Sequence, residues 1–444
     1  MFSSNSNIGI LLLFRVLLLA VLSIYTIMSN SLSGFATASF YVYVTIIVLS
    51  LFVSKKMSVD VIWLTGVILM IMSEMLFMGD RMETILVSKY ILLGNNVVIL
   101  SYYFARNRAR FKEKKYVIAN RTWYIIVCLL ATIVFVVVVL PKAVYSIRYG
   151  RNAAEDIVGL GLFGSIVEDF GYIIPVFWAY YFKGRKKGIL WSFVLSLPFF
   201  ILLFMNGTRF PLLFSLLGYV LATGYVNIYN FKIKDFIVVA LGVAIFMNAS
   251  NMMKDMRVLG WESAQEIDRH EKIGLSLPQR IVSYGSSEGI VMANIWLHDY
   301  CSRNGYTYGK QSAFVFYWWV PRSIWHSKPK MTGGWLPYLY GNYGEGHSAS
   351  VGIWGELYVD FGYFSFLFFI LWGFLLKRIE SYCEFIYNKN GRTISIGIVA
   401  VLYPFVFFAS RSPITSFITL VTSMALYFMF LKLSFVGKSS NNVG

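Results

Sequence analysis

Apolar runs of about 20 residues recur along most of the chain and are separated by short polar segments. A helix needs about 20 mostly apolar residues to cross a hydrocarbon core roughly 30 Å thick, because each residue adds about 1.5 Å. The pattern therefore predicts a helical protein with about twelve membrane crossings. The predicted crossings are residues 8–28, 36–53, 61–77, 84–104, 122–140, 162–182, 189–205, 210–229, 236–250, 361–376, 393–409 and 416–433.

One stretch interrupts this pattern. Residues 251–360 are polar and rich in aromatic side chains, with no apolar run long enough to cross a bilayer. We therefore expect nine helices over residues 1–250, a large loop outside the membrane over residues 251–360, and three helices with a tail over residues 361–444. Such a protein is expected to act where the loop meets the membrane face.

The composition excludes a soluble fold. Hydrophobic residues make up 57% of the 444 residues and charged residues only 14%, which is too little charge to cover a soluble surface. The predicted fold class is all-α, a polytopic integral membrane protein.

The positive charges predict its orientation. Most Lys and Arg residues fall in alternate loops, near residues 55–56, 106–121, 183–187, 232–234 and 377–392, and in the C-terminal tail. Loops rich in Lys and Arg stay in the cytoplasm. Both termini are therefore expected in the cytoplasm and the large loop on the far side. The same loops account for most of the net charge of +17, so we exclude a nucleic-acid-binding surface.

Residue spacing gives no support for metal chemistry. The four His residues form no HxxxH or HExxH pattern, and the three Cys residues form no CxxC pair. We expect neither a metal nor another cofactor.

Charged side chains inside the predicted helices should have partners, because an unpaired charge in lipid is costly. Glu74 and Lys89 lie at similar depths in neighbouring helices, so we expect an ion pair between them. Glu168 and Asp169 lie near the outer end of the sixth helix. At least one of these two acids should face a wet cavity, either to contact substrate or to pair with an arginine.

Two arginines are held at the outer membrane face by tight hairpins. Arg209 follows Asn206-Gly-Thr, and Arg411 lies within Ala409-Ser-Arg-Ser-Pro. A guanidinium in such a place suits a diphosphate, because it offers several donors in a planar fork. The alternative is an arginine that reaches lipid phosphate or caps its helix.

The large loop holds two further candidate segments. Trp318-Trp-Val-Pro-Arg322-Ser-Ile-Trp-His-Ser-Lys328 combines aromatic side chains with cations, as a site for anionic lipid or an interfacial anchor would. Gly-Asn-Tyr-Gly-Glu345-Gly-His347 brings a carboxylate and an imidazole together in a glycine-rich segment, where either group could transfer a proton. A flexible connector with an incidental histidine is the alternative for the second segment.

Several of these features resemble one family. A Gly-Thr-Arg209 hairpin, a large late loop with Pro321-Arg-Ser-Ile-Trp and Lys328-Pro, and Gly355-Glu-Leu-Tyr-Val-Asp-Phe-Gly before a late helix are similar to the Wzy-type polymerases of bacterial O-antigen and capsule repeat units. The resemblance covers the whole chain in topology and rests on short motifs between residues 206 and 362.

The resemblance implies a fold similar to the GT-C glycosyltransferases in the bacterial inner membrane. It also implies transfer of a glycan from undecaprenyl diphosphate to a hydroxyl of the next lipid-linked repeat unit. The implied partners are undecaprenyl-diphosphate-linked oligosaccharide, membrane lipids and a polysaccharide chain-length regulator.

Such a reaction needs cations for the departing diphosphate, a base for the acceptor hydroxyl and a groove for the lipid. On this basis each candidate side chain receives one role. The base would be Glu345 or His347, with Glu288 as second choice; the diphosphate ligands would be Arg209, Arg322 and Lys328, with Arg280 and Arg411 as further candidates; the sugar-stacking residues would be Trp318, Trp335 and Tyr340.

Two other functions stay open. An O-antigen ligase would use the same donor but transfer finished glycan to the lipid A core. A flippase or other transporter of lipid-linked oligosaccharide could also have twelve helices, although such carriers usually show two related halves or charges deep in a central cavity.

Overall fold

The computed structural model describes residues 3–105, 115–118, 120–150, 161–239, 241–242, 253, 289–320, 324–340, 349–389, 394–411 and 416–438. For some of these residues, including Arg209, the structure describes the backbone but not the side chain. The described chain is helical apart from two short strands. The helices are α1 (Ser3–Met28), α2 (Leu32–Val48), α3 (Val59–Val67), α4 (Ser73–Met75), α5 (Met82–Phe104), α6 (Arg121–Tyr149), α7 (Gly161–Phe182), α8 (Gly188–Met205), α9 (Arg209–Thr223), α10 (Ile290–Asn304), α11 (Phe314–Tyr317), α12 (Thr332–Tyr340), α13 (Gly352–Phe361), α14 (Ser365–Lys389), α15 (Ile394–Ala409) and α16 (Ser416–Ser434), and the strands are β1 (Lys115–Ile118) and β2 (Phe435–Lys438).

Three irregular turns extend or join these helices. A π-helical turn, Leu49–Val53, extends α2, and a second, Ile68–Met72, joins α3 to α4. A 3₁₀ turn, Gly362–Phe364, joins α13 to α14. Residues 233–239 are also helical.

Six stretches of the described chain are long and apolar enough to cross a membrane, namely Gly9–Met28, Leu32–Val53, Met82–Phe104, Arg121–Tyr149, Gly188–Met205 and Gly352–Tyr387. Their outward faces are apolar: Ile10, Val137 and Ile189 are 66%, 65% and 60% exposed. Apolar faces this large are rare on soluble proteins. The protein is therefore a helical membrane protein.

Most predicted helix bounds agree with the structure to within several residues, but three do not. Helix α6 continues to Tyr149 rather than ending at residue 140, and Gly150 (φ 86°) follows its end. Helix α9 ends at Thr223 rather than at residue 229, because Gly224 takes a left-handed conformation (φ 70°) that ends the helix. The helix predicted to start at residue 361 starts at Ser365 and continues to Lys389, because Gly362 (φ 56°) separates it from α13. The predicted crossing 236–250 lies mostly outside the described residues.

Polar contacts distinguish two ends of the helical body. At one end, the basic end, Lys56 Nζ bonds Glu380 Oε1 at 2.8 Å, and Lys377 Nζ bonds Glu380 Oε2 at 2.7 Å. Strands β1 and β2 pair antiparallel, which brings the loop after α5 and the C-terminal tail together. The turns 206–208 and 410–411 and helices α10 to α13 lie at the opposite end, which we call the loop end.

A membrane helix holds the first turn of α10. The buried Glu74 carboxylate accepts hydrogen bonds from the backbone N–H groups of Val291 (2.9 Å) and Met292 (3.0 Å). The first N–H groups of a helix have no partner within it and attract negative charge. Lys89 instead donates to the carbonyl of Ile27 at 3.0 Å. The predicted Glu74–Lys89 ion pair is therefore wrong, because the helix terminus binds the carboxylate.

Helices α5 and α14 pack closely at Gly373. A Cβ added at Gly373 would lie 2.7 Å from Ser101 Cβ and 2.9 Å from Tyr102 N. We expect Gly373→Ala to lower the thermal midpoint of the detergent-purified protein by several degrees, because the helices must separate. This cost should exceed the gain of about 1 kcal/mol that alanine gives inside a helix.

Gly9→Ala is the matched control, because no heavy atom lies within 4 Å of a Cβ at that position. Its thermal midpoint should stay the same or rise slightly. Equal midpoints for the two variants would contradict the close packing of α5 on α14.

Candidate functional site

The helix ends that carry the two predicted hairpin arginines lie side by side. Helix α9 begins at Arg209, and Arg411 follows the end of α15. Near these ends the Phe214 and Phe408 rings stack with centroids 5.9 Å apart. Farther along, Gly218 of α9 packs directly on the carbonyl of Ala400. The two helices are therefore antiparallel neighbours, and the turns with both arginines meet at the loop end.

A polar network holds the hairpin before Arg209. Asn206 is completely buried; it accepts a hydrogen bond from Ser146 Oγ (3.0 Å) and donates to Glu168 Oε1 (3.5 Å). Glu168 also pairs with Lys142 at 2.7 Å. Glu168, one of the two acids expected either to contact substrate or to pair with an arginine, thus pairs with a lysine of α6. Asp169, also buried, lies beside this network. The hairpin is in this way attached to both α6 and α7.

The turn at Arg411 is attached to the large loop. Ser350 Oγ donates to the carbonyl of Arg411 at 2.7 Å, and Trp354 Nε1 donates to the carbonyl of Ser410 at 3.3 Å. Ala349 N donates to the carbonyl of Gly333 at 2.9 Å, which connects the same segment to α12. The chain that follows the Glu345-Gly-His347 segment is therefore bound to the turn that carries Arg411.

An open apolar groove runs between α3, α9 and α15, with a cavity volume of about 70 Å³. Leu213 and Phe407 are two of its lining residues. They lie four residues from Arg209 and Arg411 respectively, which is about one helical turn. The groove thus runs from the basic end, where Met57 and Val226 line it, to within about one turn of both arginine positions. Its other lining residues are Met57, Ile62, Thr65, Leu69, Met70, Leu217, Val220, Leu221, Val226, Val239, Tyr403 and Pro404.

The ammonium group of Lys328 binds backbone carbonyls of the protein itself. Lys328 is buried, and its ammonium donates to the carbonyls of Trp318 (2.5 Å) and Val320 (3.0 Å). It also lies 5.0 Å from the centre of the Phe314 ring. These contacts tie the half-buried Trp318 to the 324–330 segment, so two of the three ammonium donors of Lys328 bind the protein's own backbone.

The other two predicted sugar-stacking residues pack on α10. Trp335 lies against Tyr300 with ring centroids 4.6 Å apart, and Tyr340 lies nearly parallel to Trp296 at 6.5 Å. Trp296 and Tyr300 were missed by the sequence analysis. Their spacing of four residues is the signal that could have found them, because it puts both rings on one face of a helix.

A second aromatic cluster surrounds His298. Its ring stacks on Tyr358 with centroids 3.6 Å apart, and Tyr90 lies edge-on at 5.5 Å. His298 Nε2 is buried without a hydrogen-bond partner among the described residues. Burial lowers the pKa of His298 from 6.5 to about 4. This histidine is therefore neutral at physiological pH and cannot serve as a cation for a diphosphate.

Five predicted site residues lie outside the described residues: Arg280, Glu288, Arg322, Glu345 and His347. Their roles stay predictions. Among the described residues, no group of three or more His, Cys, Asp or Glu side chains could hold a metal ion.

Comparison with known proteins adds no further assignment. No protein-family model, curated protein or solved structure matches the chain.

The position of His298 predicts a pH effect on stability. Below pH 6.5 the unfolded chain takes up a proton that the folded protein resists until about pH 4. This contribution to stability is present above pH 6.5 and is lost as the pH falls towards 4. The loss at pH 4.5 should be about 2 to 3 kcal/mol.

His298→Phe keeps a ring against Tyr358 and removes the titration. We expect the wild-type protein to lose more thermal stability than this variant between pH 7.5 and pH 4.5, measured in the same detergent. Parallel losses in the two proteins would contradict the burial of a neutral imidazole.

Proposed function

We propose that this protein is a polyprenyl-diphosphate-dependent glycosyltransferase that joins lipid-linked oligosaccharide repeat units into O-antigen or a similar surface polysaccharide. One observation carries the proposal: the turns with Arg209 and Arg411 lie at the end of an apolar groove. A lipid diphosphate has a long apolar chain and an anionic headgroup. The apolar lining of the groove suits part of that chain, and the arginines suit the headgroup.

In the proposed reaction the bond between the anomeric carbon of the growing glycan and a diphosphate oxygen breaks. The anomeric carbon bonds to a hydroxyl oxygen of the acceptor repeat unit, and the hydroxyl proton passes to a base. Undecaprenyl diphosphate leaves with the bonding electron pair. Cations near the departing oxygen stabilise the charge that develops there in the transition state.

The base is proposed to be Glu345 or His347, with Glu288 as second choice. The contact between Ser350 and the Arg411 carbonyl supports this assignment. Glu345 and His347 precede Ser350 by five and three residues in the sequence.

The proposed cations differ in the support they have. Arg209 and Arg411 have the most support, because their turns are adjacent and both turns lie about one helical turn from the groove. Arg322 is a candidate from the sequence, and the ammonium of Lys328 donates to the carbonyls of Trp318 and Val320. Arg280 remains a further candidate from the sequence.

The membrane arrangement forms part of the proposal. It comprises about twelve crossings with a GT-C-like fold in the bacterial inner membrane, both termini in the cytoplasm and the loop end in the periplasm. The pairing of β1 with β2 supports a common side for the loop after α5 and the C-terminal tail, as the Lys and Arg pattern requires. The proposed partners are the lipid-linked donor and acceptor, membrane lipids and a chain-length regulator.

Removal of either arginine should lower polymerisation strongly. We expect Arg209→Ala and Arg411→Ala each to reduce the rate about 100-fold or more, because loss of one transition-state contact to a developing anion costs about 3 kcal/mol. The rate is measured as polymer formed from lipid-linked repeat units in membranes with equal amounts of protein.

Arg185→Ala is the matched control, because Arg185 lies beyond α7 at the other end of that helix and stacks on Tyr181 at 4.1 Å. It should polymerise at the wild-type rate. Wild-type chain length in both Arg209→Ala and Arg411→Ala, with normal protein levels, would reject the roles given to these arginines.

Deletion of the gene separates the proposed function from its competitors. A single repeat unit on the lipid A core, seen by sizing the surface glycan, is the expected result. Unligated polymer would instead indicate a ligase, and repeat units retained on the cytoplasmic side would indicate a transporter.

A further inference from the structure

Four aromatic side chains, Trp296, Tyr300, Trp335 and Tyr340, join α10 to α12 at the loop end, and we call them the ring platform. The two ring pairs have centroids 4.6 Å and 6.5 Å apart. All four side chains are half-buried, so each ring packs on its neighbours and still keeps part of its surface accessible. The platform is therefore a partly exposed aromatic surface.

A charged pair borders the ring platform. Asp299 accepts two hydrogen bonds from Arg303, one from Nη2 at 2.9 Å and one from Nε at 3.1 Å. The side chain of Asp299 is 35% exposed and that of Arg303 is 71% exposed. Burial, together with the neighbouring Asp299, raises the pKa of Tyr340. A carboxylate and a guanidinium are therefore available at the edge of the rings.

The aromatic rings together with the Asp299–Arg303 pair favour a saccharide over lipid as the ligand. Rings that sit among acyl chains should not have a charged pair beside them, because transfer of charge towards lipid is costly. A sugar ring, by contrast, has an apolar C–H face that stacks on an aromatic ring and hydroxyl groups around its edge. Planar charged side chains bind such hydroxyl groups with strong hydrogen bonds. The ring platform offers both kinds of contact.

We propose that the ring platform is a glycan-binding subsite, in which sugar rings stack on Trp296, Tyr300, Trp335 and Tyr340 while Asp299 and Arg303 bind hydroxyl groups. The choice of glycan as the ligand rests on the proposed function. The position and chemistry of the platform are independent of it.

The subsite lies close to the arginine turn. Trp335 is two residues from Gly333, whose carbonyl accepts a hydrogen bond from the backbone N–H of Ala349. Ser350, which follows Ala349, donates a hydrogen bond to the Arg411 carbonyl. Through these contacts the backbones of Gly333 and Arg411 lie within about 12 Å of each other. An oligosaccharide on the platform could therefore extend to the reacting end of the lipid-linked donor.

Binding of free glycan tests the subsite. The full-length protein is placed in nanodiscs of zwitterionic phospholipid, and the probe is the polysaccharide released by mild acid from the cells that express it. Isothermal titration should give about tenfold higher Kd for Trp296→Ala and for Tyr300→Ala than for the wild-type protein. Asp299→Asn should also weaken binding severalfold, while Tyr300→Phe should keep most of it.

Trp191→Ala is the matched control, because Trp191 is 54% exposed and lies in the first turn of α8, at the basic end. It should bind with the wild-type Kd. A Kd unchanged by the platform variants, or no binding by the wild-type protein, would overturn the subsite.

Two further results would also overturn it. One is a fall in thermal midpoint that accounts for the lost binding in every platform variant. The other is quenching by brominated phospholipid that decreases in Trp296→Phe, since it would mean that the ring lies in lipid. Polymer of normal length after gene deletion would reject the proposed function instead, so the two failures are distinguishable.

Discussion

The close contact between Gly218 of α9 and the backbone of Ala400 of α15 sets the geometry on which the candidate site depends. A Cβ at Gly218 would lie 2.8 Å from the Ala400 carbonyl oxygen, so only glycine permits this approach. Lipid chains are as apolar as leucine, and helices in a membrane associate through small residues and polar contacts instead. This contact holds α9 antiparallel to α15 and brings the turns of Arg209 and Arg411 together above the apolar groove.

Polar contacts then attach the loop end to this helical body. Glu74 binds the first turn of α10, and Ser350 and Trp354 bind the carbonyls of the 410–411 turn. Glu168, Lys142 and Asn206 hold the other hairpin. Each of these contacts joins a membrane helix to a turn or loop, so the positions of the arginine turns are set by the rigid helices. Such positioning matters for a reaction in which charge must be stabilised at one place.

The candidate site was predictable only in part, and particular residues show why. The helix ends beside Arg209 and Arg411 were predictable, because a very short polar segment between two apolar runs leaves little freedom; the roles of the two arginines stay predictions. Lys328 has a cationic side chain beside aromatic residues, but the structure uses its ammonium to bind the carbonyls of Trp318 and Val320. A sequence motif does not reveal which acceptor lies nearest. Trp296 and Tyr300 were missed because the loop around them was read as a single polar stretch, although they belong to α10.

The sequence by itself determined that the chain is a helical membrane protein, and it located most of the helices. The physical reason is local: lipid requires long apolar runs and internal backbone hydrogen bonds, and both are visible in consecutive residues. The tertiary structure alone decided which helix ends meet, that Glu74 binds α10 rather than Lys89, and that rings from α10 and α12 form one surface. These outcomes depend on contacts between residues far apart in the chain, where small differences in distance select one partner among several of similar chemistry.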